Sequence, residues 1–231
     1  MKQQQLYSLL RQAIDKYSMI DEGDKIAVGL SGGKDSLTLL YGLSGLKKFY
    51  PHKFDIVAIC VDLGYPGFDT TQMENYCKSL EVDCYIVHTK INEILKSGEC
   101  SLCARLRKGA FNEKALELRC NKIAYAHNMD DVVETLMLSL MYEGRFSTFW
   151  PVTAYEDTGL TLIRPMIFVP KNMVTGFCNK YNIVVTKNPC PYDKTTQRTY
   201  IRSLLKEMEL HAPGTKKRMM RAIMGGISNW V

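Results

Sequence analysis

A short apolar run, Ile26-Ala27-Val28-Gly29-Leu30, passes through Ser31-Gly32-Gly33-Lys34-Asp35-Ser36 into a second, Leu37-Thr38-Leu39-Leu40-Tyr41. The first reads as a buried strand and the second as the opening turns of a helix. The hexapeptide between them is therefore a strand-to-helix turn, which commits this part of the chain to a βα unit. Two glycines clear side chains from the turn, so backbone N–H groups can approach an anion, and the helix start adds the positive end of its dipole. Lys34 contributes a mobile positive charge and Ser36 a hydroxyl. The spacing differs from a Walker A loop, which needs four residues between its first glycine and the Gly-Lys-Ser/Thr end.

The same alternation repeats downstream. Phe54–Val61 precedes a helical pattern over about 69–80, and Cys84–Val87 leads to one near Cys103–Arg119. Lys122–Ala126 precedes one from Asp130 to about Tyr142, and Leu160–Ile163 closes the series. Repeated βα units predict an α/β fold, a doubly wound parallel sheet of five strands with helices on both faces. An amphipathic helix over Gln3–Tyr17 precedes it, with Leu6, Leu9, Leu10, Ala13 and Ile14 on one side. Helical patterns near Lys171–Tyr181, Gln197–Met208 and Thr215–Met224 follow. The expected organisation is an N-terminal helix (1–22), an α/β domain (23–169) and a basic helical C-terminal extension (170–231).

A chain of 231 residues is long enough for such a core. It has no apolar run of membrane-spanning length, and its first residues lack a signal-peptide core. A cytoplasmic location is expected, where eight cysteines stay reduced and serve as thiols or ligands. The net charge of +6 is concentrated near the end. Arg198, Arg202, Lys206, Lys216, Lys217, Arg218 and Arg221 stand against Glu207 and Glu209, which suits a polyanion such as RNA and equally suits a solvated helix face.

In open parallel sheets, ligands sit beyond the carboxyl ends of the strands. The second strand ends at Asp62, placed to meet a ribose or an adenine amino group. The fourth ends in Ala126-His127-Asn128-Met129-Asp130-Asp131, followed by Val132-Val133-Glu134-Thr135. Asp130 and Asp131 can cap a helix; beside a polyphosphate, one can hold Mg²⁺. His127, at the strand end beside them, is read as a site residue. Among the cysteines, Cys60, Cys77, Cys84, Cys120 and Cys178 fall in apolar or helical surroundings and read as structural. Cys100-Ser101-Leu102-Cys103 differs, because i, i+3 spacing at a helix start points both sulfurs one way. A thioredoxin-like pair, a zinc site and an iron–sulfur cluster compete here. Cys190, in the loop Asn188-Pro189-Cys190-Pro191, is a third candidate thiolate.

These motifs together resemble a known family. The hexapeptide 31–36 is similar to the pyrophosphate loop of the PP-loop ATPases, which split ATP between its α and β phosphates to adenylate a substrate. Ala126 to Thr135 resembles their second signature, with Ala126 in place of a glycine, and Arg164-Pro165-Met166 matches the Arg-Pro-Leu that commonly follows. Cys-x-x-Cys-Ala-Arg-Leu-Arg-Lys-Gly, with Cys-Pro before an arginine-rich helix, looks like the tRNA 2-thiocytidine synthetase branch. Its best-known members carry Cys-x-x-Cys-Gly-Ser-Gln at the third cysteine, whereas 190–198 here holds one cysteine. The resemblance implies an adenine nucleotide alpha-hydrolase-like fold and an ATP-, Mg²⁺- and [4Fe–4S]-dependent tRNA thiolation. It implies Lys34, Asp35 and Asp131 as catalytic residues. Ser31, Gly32, Gly33, Lys34, Asp35, Ser36, Asp62, His127 and Asp130 would bind the nucleotide and its metal. Cys100, Cys103 and Cys190 would hold the cluster, and Arg198, Arg202, Lys216, Lys217, Arg218 and Arg221 would meet tRNA. A homodimer and a sulfur donor, either cysteine desulfurase or sulfide, are further expectations. Thiolation of another tRNA base or a small molecule, and a nucleotide-binding thiol or cluster redox sensor, are the alternative functions.

Overall fold

A computed structural model describes residues 1–95, 99–186, 190 and 197–226. Gly98, in the turn expected before Cys100, lies outside the described residues, as do Asn188, Pro189 and Pro191 of the loop expected around Cys190. Among the described residues the sheet has six strands. They are β1 (Asp24–Gly29), β2 (Phe54–Asp62), β3 (Cys84–His88), β4 (Lys122–Ala124), β5 (Val152–Ala154) and β6 (Thr161–Ile163), in the order β3-β2-β1-β4-β6-β5. The five expected strands are all present and pair in parallel. The sixth, β5, is a three-residue antiparallel edge beside β6. It is too short to show alternation, so sequence periodicity passes over it.

The helices are α1 (Gln3–Lys16), α2 (Lys34–Leu46), α3 (Thr71–Ser79), α4 (Ile91–Ile94), α5 (Cys100–Glu117), α6 (Met129–Leu138), α7 (Lys171–Lys180), α8 (Gln197–His211) and α9 (Thr215–Gly225). Successive strand residues face opposite sides. Ile26, Val28, Ala58 and Ala124 join one core with Leu6 and Leu10 of α1, Val174 and Phe177 of α7, Ile201 and Leu205 of α8, and Met220 of α9. Ala27, Val57, Ile59 and Ile123 face the other way, onto Phe111 and Ala115 of α5. The terminal helices thus share the central core with the α/β unit. Helices cover both faces, very unequally. The expected helix to Tyr142 continues from α6 as a π-helical turn, Ser139–Glu143, and stops at Gly144 in the left-handed conformation.

β1 pairs with β2 on one side and β4 on the other, and the chain leaves in opposite directions from it. This is the topological switch point, where an open α/β sheet leaves a crevice beyond its strand ends. The opposite end of the same strands is held by charge. Lys122, opening β4, lies 2.7 Å from Asp24, opening β1, and donates to Asp21 and the Met19 carbonyl. Both members of the Lys122–Asp24 pair are buried, so removing one leaves the other uncompensated. Lys122→Ala is expected to cost about 3–5 kcal/mol in urea unfolding. A loss below about 1 kcal/mol would mean that the pair does not anchor the sheet.

Candidate nucleotide site at the switch point

α2 begins at Lys34, directly after the glycine turn. Its cap residue is Gly33, and no side chain bonds the first turn from that position. The leading N–H groups of a helix have no intrahelical acceptor, so an uncapped α2 presents them to an external anion. The loop's shape depends on Gly32, whose φ is +73°. A Cβ there would stand 2.7 Å from Thr186 Cβ and 3.0 Å from Met73 Sδ. Inside the turn, Ser36 Oγ accepts from Ser31 N–H at 3.2 Å, donates to the Gly33 carbonyl at 3.0 Å and lies 3.1 Å from Ser31 Oγ. These bonds close the loop from within, while the Lys34 side chain is exposed.

α6 begins differently. Asn128 is fully buried, and its Oδ1 accepts from the Asp130 and Asp131 N–H groups at 2.9 and 3.2 Å. Its Nδ2 donates to Asp35 Oδ1 at 2.8 Å, and its own N–H donates to Asp131 Oδ2 at 3.0 Å. Asn128 therefore caps α6 with its side-chain oxygen and holds two carboxylates beyond neighbouring strands, Asp35 through its side-chain amide and Asp131 through its backbone N–H. Burial pushes the Asp35 carboxyl above its ordinary range and the Asp131 charge adds to that, while Lys171 and the Asn128 bond act in the opposite sense. Two such carboxylates beside a phosphate cradle match the way Mg²⁺ is held, by one or two carboxylates plus substrate phosphates.

Other expected site residues already hold partners within the protein. Both Asp130 oxygens are occupied, by Lys171 N–H at 2.7 Å and Lys216 Nζ at 2.7 Å. Asp62 accepts from Gly64 N–H at 2.8 Å and lies 3.1 Å from His88 Nδ1, so it shapes its own turn. His127 accepts from Arg164 Nε at 3.2 Å and packs on Phe149, ring centres 4.8 Å apart. Of the expected RNA contacts, Arg202 binds the buried Glu134 at 2.9 Å and Lys216 binds Asp130. Arg198 lies 3.9 Å from Asp131, and Arg218 donates to the Ala212 and Pro213 carbonyls in the turn before α9. Lys217 and Arg221 are exposed.

Cys100 is exposed and Cys103 is buried one turn later at the start of α5. Arg107 approaches the Cys103 sulfur at 3.8 Å. α5 returns from the carboxyl end of β3, so its start lies at the same end of the sheet as the phosphate loop. Cys190 is half-buried. Among the described residues no three Cys, His, Asp or Glu side chains are grouped to hold a metal ion. Thr186 N–H donates to the Gly32 carbonyl at 3.0 Å, and the chain length alone keeps the Cys190 Cα within about 14 Å of the Thr186 Cα. Of the cysteines expected to be structural, Cys60, Cys77, Cys120 and Cys178 are buried and Cys84 is half-buried. Cys178 packs under α2, its sulfur 3.7 Å from the Lys34 carbonyl.

An uncapped helix start, a glycine turn and paired carboxylates at a parallel-sheet switch point define an α/β nucleotide-binding protein with a pyrophosphate-type loop. Comparison with known proteins agrees: the family described as PP-loop domain matches residues 2–208, and the chain belongs to that family. It is 35% identical to a tRNA-cytidine(32) 2-sulfurtransferase of Pelobacter propionicus, over 96% of this chain and 87% of that protein. A protein of the same name from Geotalea uraniireducens is 37% identical, over 92% of this chain and 87% of its own. Among solved structures, the U34-tRNA thiolase NcsA of Methanococcus maripaludis, determined with its [4Fe–4S] cluster, superposes with a TM-score of 0.80. It is 25% identical, and the match covers 99% of this chain and 79% of that one.

Two predictions follow from this geometry. His127 is kept neutral, because burial and then the Arg164 charge push its pKa down to about 4, against about 6.5 in an unfolded chain. Its contribution to stability is complete above pH ~6.5 and declines as pH falls toward 4, by on the order of 3 kcal/mol. His127→Gln should remove that part of the pH slope in urea midpoints; an unchanged slope would show that His127 titrates alike in the folded and unfolded chain. Gly32→Ala should weaken ATP binding at least tenfold in calorimetry, since a Cβ strains both φ and the Thr186 contact. Wild-type affinity would show that the loop does not hold the phosphates.

Proposed function

We propose that this enzyme uses ATP to activate the O2 carbonyl of a cytidine in tRNA and replaces that oxygen with sulfur, forming 2-thiocytidine. What carries the reading is the uncapped start of α2, with Asp35 in its first turn and the Asp131 charge near it, in a chain that aligns over nearly its whole length with proteins named tRNA-cytidine(32) 2-sulfurtransferase. The base oxygen attacks the α-phosphorus, forming a P–O bond as pyrophosphate leaves. Sulfide then attacks C2 of the adenylated base, and AMP departs with the oxygen.

The chain's part is positioning and charge neutralisation. Gly32, Gly33 and the leading N–H groups of α2 receive the departing pyrophosphate, with Lys34 beside them. Ser31 and Ser36 hold the turn closed. Asp35 and Asp131, oriented by Asn128, receive Mg²⁺, which neutralises phosphate charge when bound. Asp62, His127 and Asp130 act less directly: Asp62 at the neighbouring strand end, His127 through Arg164, and Asp130 by fixing α9. Cys100, Cys103 and Cys190 have the donor chemistry of a cluster held by three thiolates and would hold it. Such a cluster supplies an iron site for carrying sulfide. The 3.0 Å bond from Thr186 to the phosphate loop, four residues before Cys190, supports placing that cysteine near the reaction. The same resemblance extends the reading to a cytoplasmic homodimer and to sulfide or a cysteine desulfurase as sulfur donor. Arg198, Arg202 and Arg218 hold contacts within the protein yet keep part of each guanidinium open, and Lys217 and Arg221 add exposed charge for phosphates.

The test is nucleoside mass spectrometry of tRNA treated with anaerobically purified enzyme, ATP, Mg²⁺ and sulfide. We expect ATP-dependent 2-thiocytidine, and its absence with a fully loaded enzyme overturns the reading. Lys34→Ala should lower the rate by about 10²–10³-fold. Cys100→Ala, Cys103→Ala and Cys190→Ala should each lose iron and thiolation while binding ATP as the wild type does. A full iron content in any one removes that cysteine from the ligand set.

A further inference from the structure

An apolar groove of about 530 Å³ runs along α6, from Val132, next to Asp131, past Leu136 to Tyr17 after α1. One wall is the segment after the π-helical turn, with Phe146, Phe149 and Trp150; the other is the inner side of α9, with Met220, Ile223 and Met224. Trp150 is 75% exposed and Phe146 43%. Their backbone is nonetheless fixed. Arg164 donates to the Trp150 carbonyl, and Thr148 Oγ1 donates to the Val132 carbonyl of α6 at 3.0 Å. Phe149, between them, packs on His127. An indole is thus displayed to solvent on a rigid support, next to the helix that begins with Asp130 and Asp131.

The lining of this groove carries no charged side chain, and neither 144–151 nor α9 contains an Asp or Glu. Arg145 precedes Phe146. Lys217 stands one turn before Met220 on α9, and Arg221 one turn before Met224. Lys16 approaches the Met224 sulfur at 3.7 Å. Exposed aromatic faces within a cationic rim are what single-stranded nucleic acid requires: bases stack on the rings while the cations follow the phosphates. A second copy of this chain fits poorly, because a two-fold interface sets a patch against itself and would oppose these cations to each other.

We propose that Trp150 and Phe146 form the stacking platform for unpaired tRNA bases flanking the one to be modified, with Arg145, Lys217 and Arg221 along their phosphates. This rests on the tRNA reading above and adds to it a place and a mode of recognition. The position suits the reaction, since a base must leave its stack before its C2 carbonyl reaches the adenylating centre. A platform for its neighbours holds the strand open at that point.

The chain contains two tryptophans, so Trp230→Phe leaves Trp150 as the sole indole emitter. Titration with an RNA stem-loop bearing an unpaired loop should quench that emission, and duplex RNA of equal length should not. Trp150→Ala and Phe146→Ala should each weaken stem-loop affinity about tenfold, with ATP affinity unchanged. Unquenched emission at saturating stem-loop, or Trp150→Ala binding the stem-loop as the wild type does, overturns the platform while leaving the thiolation reading intact. Conversion of a wild-type dimer to a monomer by Trp150→Ala in sedimentation would also overturn it, assigning the groove to a second copy. A wild-type protein that neither binds nor thiolates any tRNA would instead remove the function on which the platform rests.

Discussion

The arrangement of this protein turns on the side chain of Asn128. A fully buried amide must satisfy its donors and acceptor within the protein, and this one does so across two elements. It caps α6 with its oxygen and holds Asp35, on the first turn of α2, with its nitrogen. Because α2 follows β1 and α6 follows β4, the bond fixes the two helix starts at the crevice where the sheet's connectivity reverses. It also divides labour between them. α6 is satisfied internally, and α2, capped only by a glycine, keeps its donors for a ligand.

A second set of contacts seats the C-terminal helices on that centre. Asp130, Asp131 and Glu134, on the first turns of α6, meet Lys216, Arg198 and Arg202 from α9 and α8. Glu134 and Asp130 are buried, so these pairs order the structure more than they add net stability. Three of the basic residues near the end of the chain are therefore paired with carboxylates of α6 while staying partly exposed. The cations without a carboxylate partner on α6 include Lys217 and Arg221, both exposed on α9.

The motifs at strand ends were legible because they are local. The glycine turn at 31–36 and the strand–helix alternation are patterns of neighbouring residues, and neighbours in sequence set φ, periodicity and capping. Other features are pairings across the chain. Asn128 was visible inside a motif, but its hold on Asp35 spans 93 positions. Arg164 was matched as part of a tripeptide, yet its work is to fix His127 and Trp150. Thr186 and Trp150 carried no local signal. β5 was missed because an edge strand of three residues has no period to read.

Sequence alone determined the α/β class, the phosphate loop and the pool of acids and thiols available to a site, because each follows from short-range pattern and side-chain chemistry. Only the tertiary structure decided that Asp130 is taken up by Lys171 and Lys216, which cations pair with carboxylates of α6, and where aromatic surface remains open. Those outcomes depend on burial and on partners distant in the chain, and neither is written in the order of neighbouring residues.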